Sequence, residues 1–130
     1  MQSRIKWLEP SHQILYILMP KKWTWDDMNL YNKRINRMLN QYSRPAVIVL
    51  DFHQSTYLPP NAVINCQKIF SNIHPDSGEI LLLGLPLSHK MVLDVVFRLF
   101  PHLKQYIFDV DMFENEMLAL LEEPTIEESP

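Results

Sequence analysis

Two side chains that can carry out acid–base chemistry lie close together at the end of an apolar segment of this chain. Residues 46–50, Ala-Val-Ile-Val-Leu, are followed by Asp51 and, two positions later, by His53. An aspartate beside a histidine can orient the imidazole as a general base. We nevertheless predict that Asp51 binds loop amides and that His53 lies exposed beside it, because no nucleophile accompanies the pair. The sequence therefore predicts no catalytic residues and a protein that is not an enzyme.

The other reactive side chains are a single cysteine, Cys66, and five histidines. Cys66 falls on an apolar helical stripe with Ala62 and Phe70, where a thiol behaves as a small buried hydrophobe and is unreactive. No two histidines have the i, i+4 spacing of a helical metal site. With two glycines in the whole chain, a glycine-rich phosphate loop is excluded. We therefore predict a structural cysteine, no metal site and no other cofactor.

Charge and hydropathy narrow the class of protein. The net charge of −3 provides no overall attraction for nucleic acid or for an anionic membrane. The longest apolar runs, residues 14–19 and 80–87, are far shorter than the roughly 20 residues of a membrane span. No long apolar stretch follows the N-terminus, so no signal peptide is expected. Because one cysteine also permits no internal disulfide, we predict a cytoplasmic protein without a membrane span that does not bind nucleic acid.

The elements that must position these side chains alternate between strands and helices. Two short N-terminal strands form a predicted hairpin, and its edge strand, residues 5–9, can pair with a second copy of the chain as a homodimer. The remaining pattern adds three strands and four helices, the last helix opening at the capping box of residues 111–114. This order predicts an α/β fold with a single mixed, mainly parallel sheet of about five strands and four helices.

Composition along the chain predicts one domain and a short tail. Residues 1–121 carry the alternating elements, whereas residues 122–130 are acidic, contain two prolines and are expected to be disordered. Within the domain, the central strand, residues 46–52, is apolar on both faces. That pattern is typical of a strand in a sheet whose two faces are both covered by helices.

Three stretches give the chain a resemblance to a known family. They are the strand, loop and helix start VIVLDF…YLPPN (residues 47–61), the strand and helix of residues 81–101, and the last strand YIFD leading into an acidic helix (residues 106–121). This pattern resembles the STAS domain, the fold of anti-sigma-factor antagonists and of the cytoplasmic tails of sulphate transporters. The likeness spans roughly residues 5–121. It implies a regulatory module whose protein partner is similar to an anti-sigma-factor kinase or a phosphatase.

The resemblance also identifies the position of a phosphorylation switch. In the antagonist proteins, a loop close to Asp-Ser-Ser-Gly follows the strand that matches residues 47–52, and a partner kinase phosphorylates its first serine. That position falls on Pro60, and its immediate neighbours carry no hydroxyl group. We therefore expect a chain that has the fold of the family but lacks its phosphorylation switch. Phosphorylation of Ser55 or Thr56 would not replace it, because these residues lie at the strand end rather than at the helix N-terminus.

The corner between the central strand and the next helix offers a partly apolar surface. We predict that it binds a partner protein through Thr56, Tyr57, Leu58, Pro59, Pro60, Asn61 and Ile64. Ile64 lies off the inner stripe of its helix, and exposed apolar surface tends to mark interaction sites. The two prolines hold the loop rigid, which reduces the entropy cost of docking. The alternative, that the corner packs on its own helix, is equally consistent with the sequence.

Three functions are compatible with such a fold. The first is a non-enzymatic interaction and regulatory module that docks a partner protein through this corner. The second is a carrier of a lipid or small apolar ligand, of the Sec14-like type, in which the seven methionines line a cavity, although methionines more often fill a core. The third, an enzyme, has the least support, because no motif accompanies the isolated histidine and aspartate residues.

Overall fold

A five-stranded sheet and three α-helices form the described part of the chain, which in the computed structural model comprises residues 4–7, 14–42, 46–71 and 77–110. The strands are β1 (Arg4–Trp7), β2 (Ile14–Leu18), β3 (Ala46–Asp51), β4 (Ser77–Leu83) and β5 (Ile107–Val110), and the helices are α1 (Trp25–Tyr42), α2 (Ala62–Phe70) and α3 (Leu87–Leu99). A 3-10 helix, Pro101–Gln105, precedes β5. The predicted fourth helix and the acidic tail lie outside the described residues.

The strands follow one another across the sheet in chain order, from β1 to β5. β1 pairs with β2 in antiparallel fashion, and every later neighbour is parallel. This arrangement confirms the predicted hairpin and the predicted α/β fold with one mixed, mainly parallel sheet. Each helix connects two adjacent parallel strands, and such connections are almost always right-handed. Successive right-handed connections in one direction place all three helices on the same face of the sheet.

The packing of the sheet agrees with this topology. Alternate strand residues such as Leu15, Ile48 and Leu82 belong to one large core together with residues of all three helices. The intervening strand residues form a separate cluster around Tyr16 and Val49 that includes no residue of the described helices. The prediction that helices cover both faces is therefore wrong for the described part of the chain. The apolar character of both faces of a strand does not reveal which face its connecting helices cover.

α1 begins at a reciprocal capping box, as its sequence predicts. The Thr24 amide donates to Asp27 Oδ2 over 2.9 Å, and the Asp27 amide donates to Thr24 Oγ1 over 3.1 Å. These bonds satisfy two amides that a helix start otherwise leaves without partners. Behind the cap, residues at spacings of three and four are buried against the sheet: Met28, Tyr31, Ile35 and Leu39.

The sequence pattern predicts that the second helix starts at about Pro59 and that Ser88 caps the third helix, with Val95 and Leu99 on its inner face. The structure differs on each of these points. α2 starts after Asn61, whose φ of 61° is left-handed, and not at Pro59. Ser88 does not cap α3, since its hydroxyl lies 3.1 Å from His89 Nδ1 and the helix begins after Pro86. The buried residues of α3 are His89, Leu93 and Val96, whereas Val95 and Leu99, which fit the inner face by spacing, are exposed.

Candidate functional site

The loops at the carboxyl ends of the parallel strands meet at one edge of the sheet, where open α/β sheets usually bind ligands. The loop after β3 lies between the other two. On one side the Thr56 amide donates to the Lys21 carbonyl over 3.0 Å, and Gln54 Nε2 donates to the Met19 carbonyl over 3.1 Å. On the other side the Phe52 amide donates to the Leu83 carbonyl over 2.8 Å. The β3–α2 loop is thus fixed by both of its neighbours.

A cluster of three polar side chains lies at the end of β3. Asp51 is 2 % exposed, and its Oδ2 accepts a hydrogen bond of 2.5 Å from the hydroxyl of Tyr16 on β2. Its Oδ1 accepts from the His53 amide over 2.9 Å and lies 2.7 Å from His53 Nδ1. The His53 side chain is 55 % exposed. Asp51 therefore links a buried phenol to a largely exposed imidazole.

The geometry predicted for this pair is confirmed. Asp51 binds a loop amide and His53 is exposed, as predicted, and the imidazole is also oriented by the carboxylate, which is the arrangement required of a general base. The contribution of Tyr16 was not foreseen. Tyr16 pairs with Val49 in the β2–β3 register, and this pairing places it on the same face as Asp51. A strand register is not visible in the sequence of either strand alone.

Gly84 holds the β4–α3 loop against the backbone of His53. Its φ of 69° is left-handed, a conformation that glycine adopts without strain. A Cβ atom at this position would lie 2.9 Å from His53 Cβ and 3.0 Å from His53 Cα. No side chain fits in that space unless His53 moves. Only a glycine at position 84 therefore permits this close contact between the β4–α3 loop and the backbone of His53.

A second, buried cluster ties the β3–α2 loop to α3 and to the segment that precedes α1. Trp23 Nε1 donates to Ser55 Oγ over 2.9 Å, and that oxygen lies 3.4 Å from His89 Nε2 on α3. Burial lowers the pKa of His89, because desolvation disfavours the imidazolium. A hydroxyl beside an imidazole can act as a nucleophile. Here, however, Ser55 is only 3 % exposed and is bound by the indole, so a substrate or kinase has no direct access to it.

The predicted partner-binding residues divide into an exposed and a buried group. At the surface lie Thr56, Tyr57, Pro60, Asn61 and Ile64, whereas Leu58 is half-buried against the core and Pro59 is buried. Tyr57 and Ile64 are 45 % and 52 % exposed. The corner is also pinned to α1, because Trp25 Nε1 donates to the Pro60 carbonyl over 2.7 Å. The exposed corner residues therefore stand on a fixed backbone.

An apolar stripe on the outer face of α3 was missed by sequence reasoning. Leu87, Met91, Val95 and Leu99 recur every four residues, and all are exposed. The spacing of four was visible in the sequence. However, α3 carries apolar residues on more than one side, and the pattern alone does not show which side meets the sheet.

Behind the corner, an apolar cavity of about 70 Å³ lies between the helices and the sheet and is partly open. Its wall includes Trp25, Leu58, Cys66 and Val92. Burial raises the pKa of the Cys66 thiol to about 12, which agrees with the structural role predicted for it. The cavity is well below the roughly 300–1,000 Å³ of pockets that hold drug-sized ligands. Its size provides no support for a carrier of lipids.

The described part of the chain contains neither a cluster of metal ligands nor a membrane-spanning helix. In residues 4–7, 14–42, 46–71 and 77–110, no group of three or more His, Cys, Asp or Glu side chains is placed to hold a metal ion. None of the helices in these same ranges combines the length and the apolar character needed to cross a bilayer. Comparison of the chain with protein-family models, curated proteins and solved structures yields no match.

Proposed function

We propose that this protein is a non-enzymatic regulatory module that binds a partner protein at the corner formed by residues 56–61 and Ile64. One observation carries the proposal: a backbone held by its neighbours presents Tyr57 and Ile64 to solvent. Large exposed side chains of this type are typical of interaction sites, and tyrosine is among the residues that most often dominate binding energy.

The rigidity of the corner favours tight docking. The bond from Trp25 to the Pro60 carbonyl and the backbone bond from Thr56 to Lys21 hold its two ends. Pro59 is buried between them. A surface that is already ordered loses little conformational entropy when a partner binds, so more of the contact energy appears as affinity.

The apolar surface available to a partner extends beyond the corner. α2, which carries Ile64, packs beside α3, whose outer face bears the exposed stripe Leu87, Met91, Val95 and Leu99. The corner supplies polar groups at Thr56 and Asn61. An apolar centre with a polar rim is the usual composition of a protein interface.

The resemblance to STAS domains suggests the class of partner. We infer a cytoplasmic protein similar to an anti-sigma-factor kinase or a phosphatase. A proline occupies the position of the phosphorylated serine, and the Pro60 carbonyl is engaged by Trp25. Because proline has no hydroxyl group, we expect that binding of the partner is not controlled by phosphorylation at this position.

Photo-crosslinking identifies the partner and tests the site. A benzophenone amino acid is introduced at Tyr57 and, as a matched control, at Leu30, which is an exposed apolar residue on α1. We expect a specific adduct from position 57 and none from position 30. The adduct is identified by mass spectrometry, and the purified partner is then titrated by calorimetry. A second copy of the chain in the adduct would indicate a homodimer instead.

The same titration measures the contribution of each side chain. Tyr57→Glu and Ile64→Glu are each expected to weaken binding by about thirtyfold or more, since interface centres lose about 2 kcal/mol or more when an anchor is removed. Leu30→Glu is expected to leave the affinity unchanged. Circular dichroism verifies that all three variants fold. Equal affinities for all four proteins would show that the corner is not the binding site.

A further inference from the structure

We propose that His53 is a phosphoryl-accepting histidine and that its nucleophilic atom is Nε2. The proposal is independent of partner binding at the neighbouring corner, because it depends on a different set of side chains. It rests on the arrangement in which a buried carboxylate holds one ring nitrogen while the other ring nitrogen is on a largely exposed side chain.

The hydrogen bond to Asp51 determines which nitrogen can react. An ionised carboxylate only accepts hydrogen bonds, so the 2.7 Å contact with Asp51 Oδ1 places the imidazole hydrogen on His53 Nδ1. In the neutral ring, the lone pair then lies on Nε2. Because more than half of the His53 side chain is exposed, an electrophile in solution can approach the ring.

The orientation of the imidazole is fixed by three strands and their loops. Tyr16 on β2 binds Asp51 Oδ2 and so holds the carboxylate from the side opposite the histidine. The amide of His53 donates to the same Oδ1 that faces its ring. Gly84, after β4, lies against the His53 backbone. A ring held in one orientation loses little freedom when it reacts, which favours it over a histidine that rotates freely.

The proposed step is a direct phosphoryl transfer. The Nε2 lone pair forms a bond to phosphorus while the bond from phosphorus to the donor's leaving group breaks, and the leaving group departs with that electron pair and takes up a proton from water. The ring becomes positively charged as the new bond forms. The Asp51 carboxylate stabilises this charge through the Nδ1 hydrogen. The donor must itself carry a labile phosphoryl group, as N-phosphoryl compounds and acyl phosphates do.

The charge of the neighbouring loop favours a phosphoryl donor over an uncharged acyl donor. Lys21 and Lys22, between β2 and α1, are both exposed, and the carbonyl of Lys21 is bound by the amide of Thr56 in the loop that carries His53. Ammonium groups attract phosphate strongly. Positive charge on this neighbouring loop therefore favours the approach of a donor that carries phosphate.

Phosphoramidate, a small N-phosphoryl donor, provides the test on the full chain. Phosphorus NMR and peptide mapping follow the rate and position of modification in the natural sequence and in Asp51→Asn, His53→Gln and His102→Gln. His102 is an exposed histidine on the 3-10 helix and serves as the internal control. We expect one acid-labile phosphate on His53 Nε2 that forms faster than any phosphate on His102. Asp51→Asn should slow the reaction by about tenfold, the factor that corresponds to one charge-assisted hydrogen bond.

Two results would overturn the proposal. One is modification of His53 at Nδ1, or at a rate no higher than that of His102. The other is an undiminished rate in an Asp51→Asn variant whose circular dichroism matches that of the natural sequence. If Asp51→Asn does not fold, Tyr16→Phe replaces it, since this variant keeps the Asp51–His53 bond and removes one support of the carboxylate. The position of the phosphate in the natural sequence decides the question in either case.

Discussion

Asp51 is a charged side chain buried in a sheet that is otherwise apolar at this point. Burying a carboxylate is costly unless hydrogen bonds replace the water that it loses. The Tyr16 hydroxyl and the amide and imidazole of His53 provide this replacement. The same bonds that allow Asp51 to be buried also orient the imidazole. The hydrogen bonds of Asp51 therefore serve both the stability of the fold and the reactivity proposed for His53.

Gly84→Ala tests how closely the β4–α3 loop and His53 are fitted together. The new Cβ would meet His53 at 2.9 Å, and alanine at a φ of 69° is strained. We expect the free energy of unfolding to fall by about 1–3 kcal/mol, the usual range for a strained backbone position. Urea denaturation measures this change.

The matched control for this variant is Asn61→Gly. Asn61 has a similar φ of 61°, and its side chain forms no cap hydrogen bond with α2. A glycine there relieves strain, so we expect stability to be unchanged or slightly increased. If Gly84→Ala unfolded at the same urea concentration as the natural sequence, the fit between Gly84 and His53 would not be tight.

At the scale of elements, the sequence predicts best those features that depend on near neighbours. The capping box at Thr24 and the periodic apolar face of α1 are local patterns, and both are found in the structure. Other features are decided by packing between distant segments. The inner face of α3 is one of these, because its apolar residues at positions 92, 95, 96 and 99 fit more than one face.

The candidate site shows the same division. Asp51 and His53 are two positions apart in the sequence and could be paired from it, whereas Tyr16 joins them only through the β2–β3 register. Among the corner residues, the buried state of Pro59 and the exposed state of Pro60 depend on how α1 lies against the loop. Neither fact follows from the two prolines alone.

The cluster of Ser55 and His89 joins α3 to the β3–α2 loop, and it should make stability depend on pH. Burial lowers the pKa of His89 below its ordinary value of 6.5 in the folded chain. As the pH falls through 6.5, the unfolded chain therefore gains a proton that the folded chain does not. The contribution of His89 to stability is complete above that pH and is lost as the pH falls toward the lowered pKa, with a slope of at most about 1.4 kcal/mol per pH unit.

Urea denaturation between pH 8 and pH 5 checks this expectation. His89→Gln cannot be protonated in this range, so the decline in stability below pH 6.5 should be shallower than in the natural sequence. His102→Gln, on the exposed 3-10 helix, should leave the decline unchanged. An identical pH dependence in the natural sequence and His89→Gln would show that another group is responsible.

At the scale of the whole molecule, the order of the strands determines where function can lie. Connecting neighbouring strands in sequence brings the loops after β2, β3 and β4 to one edge of the sheet. It also places α2 beside α3 on a single face. The proposed phosphoryl acceptor, His53, and Tyr57 of the proposed partner surface thus both lie on the loop after β3, and Ile64 lies on the helix that follows it.

Cys66 offers a direct measure of how rarely the core opens. Its half-buried thiol lies in the wall of the apolar cavity, where burial raises the pKa to about 12 and leaves few thiols ionised at pH 9. We expect alkylation by iodoacetamide under native conditions to be about a hundredfold slower, or more, than in urea. Leu93→Ala, in the same cavity wall, should lower the free energy of unfolding by about 2–5 kcal/mol. If labelling of Cys66 requires global unfolding, this variant should also be labelled about 30-fold faster, or more, under native conditions. The exposed Leu30→Ala should leave the rate unchanged. Rapid labelling of the natural sequence, or a rate that Leu93→Ala does not change, would indicate that α2 detaches while the rest of the sheet and its helices stay folded.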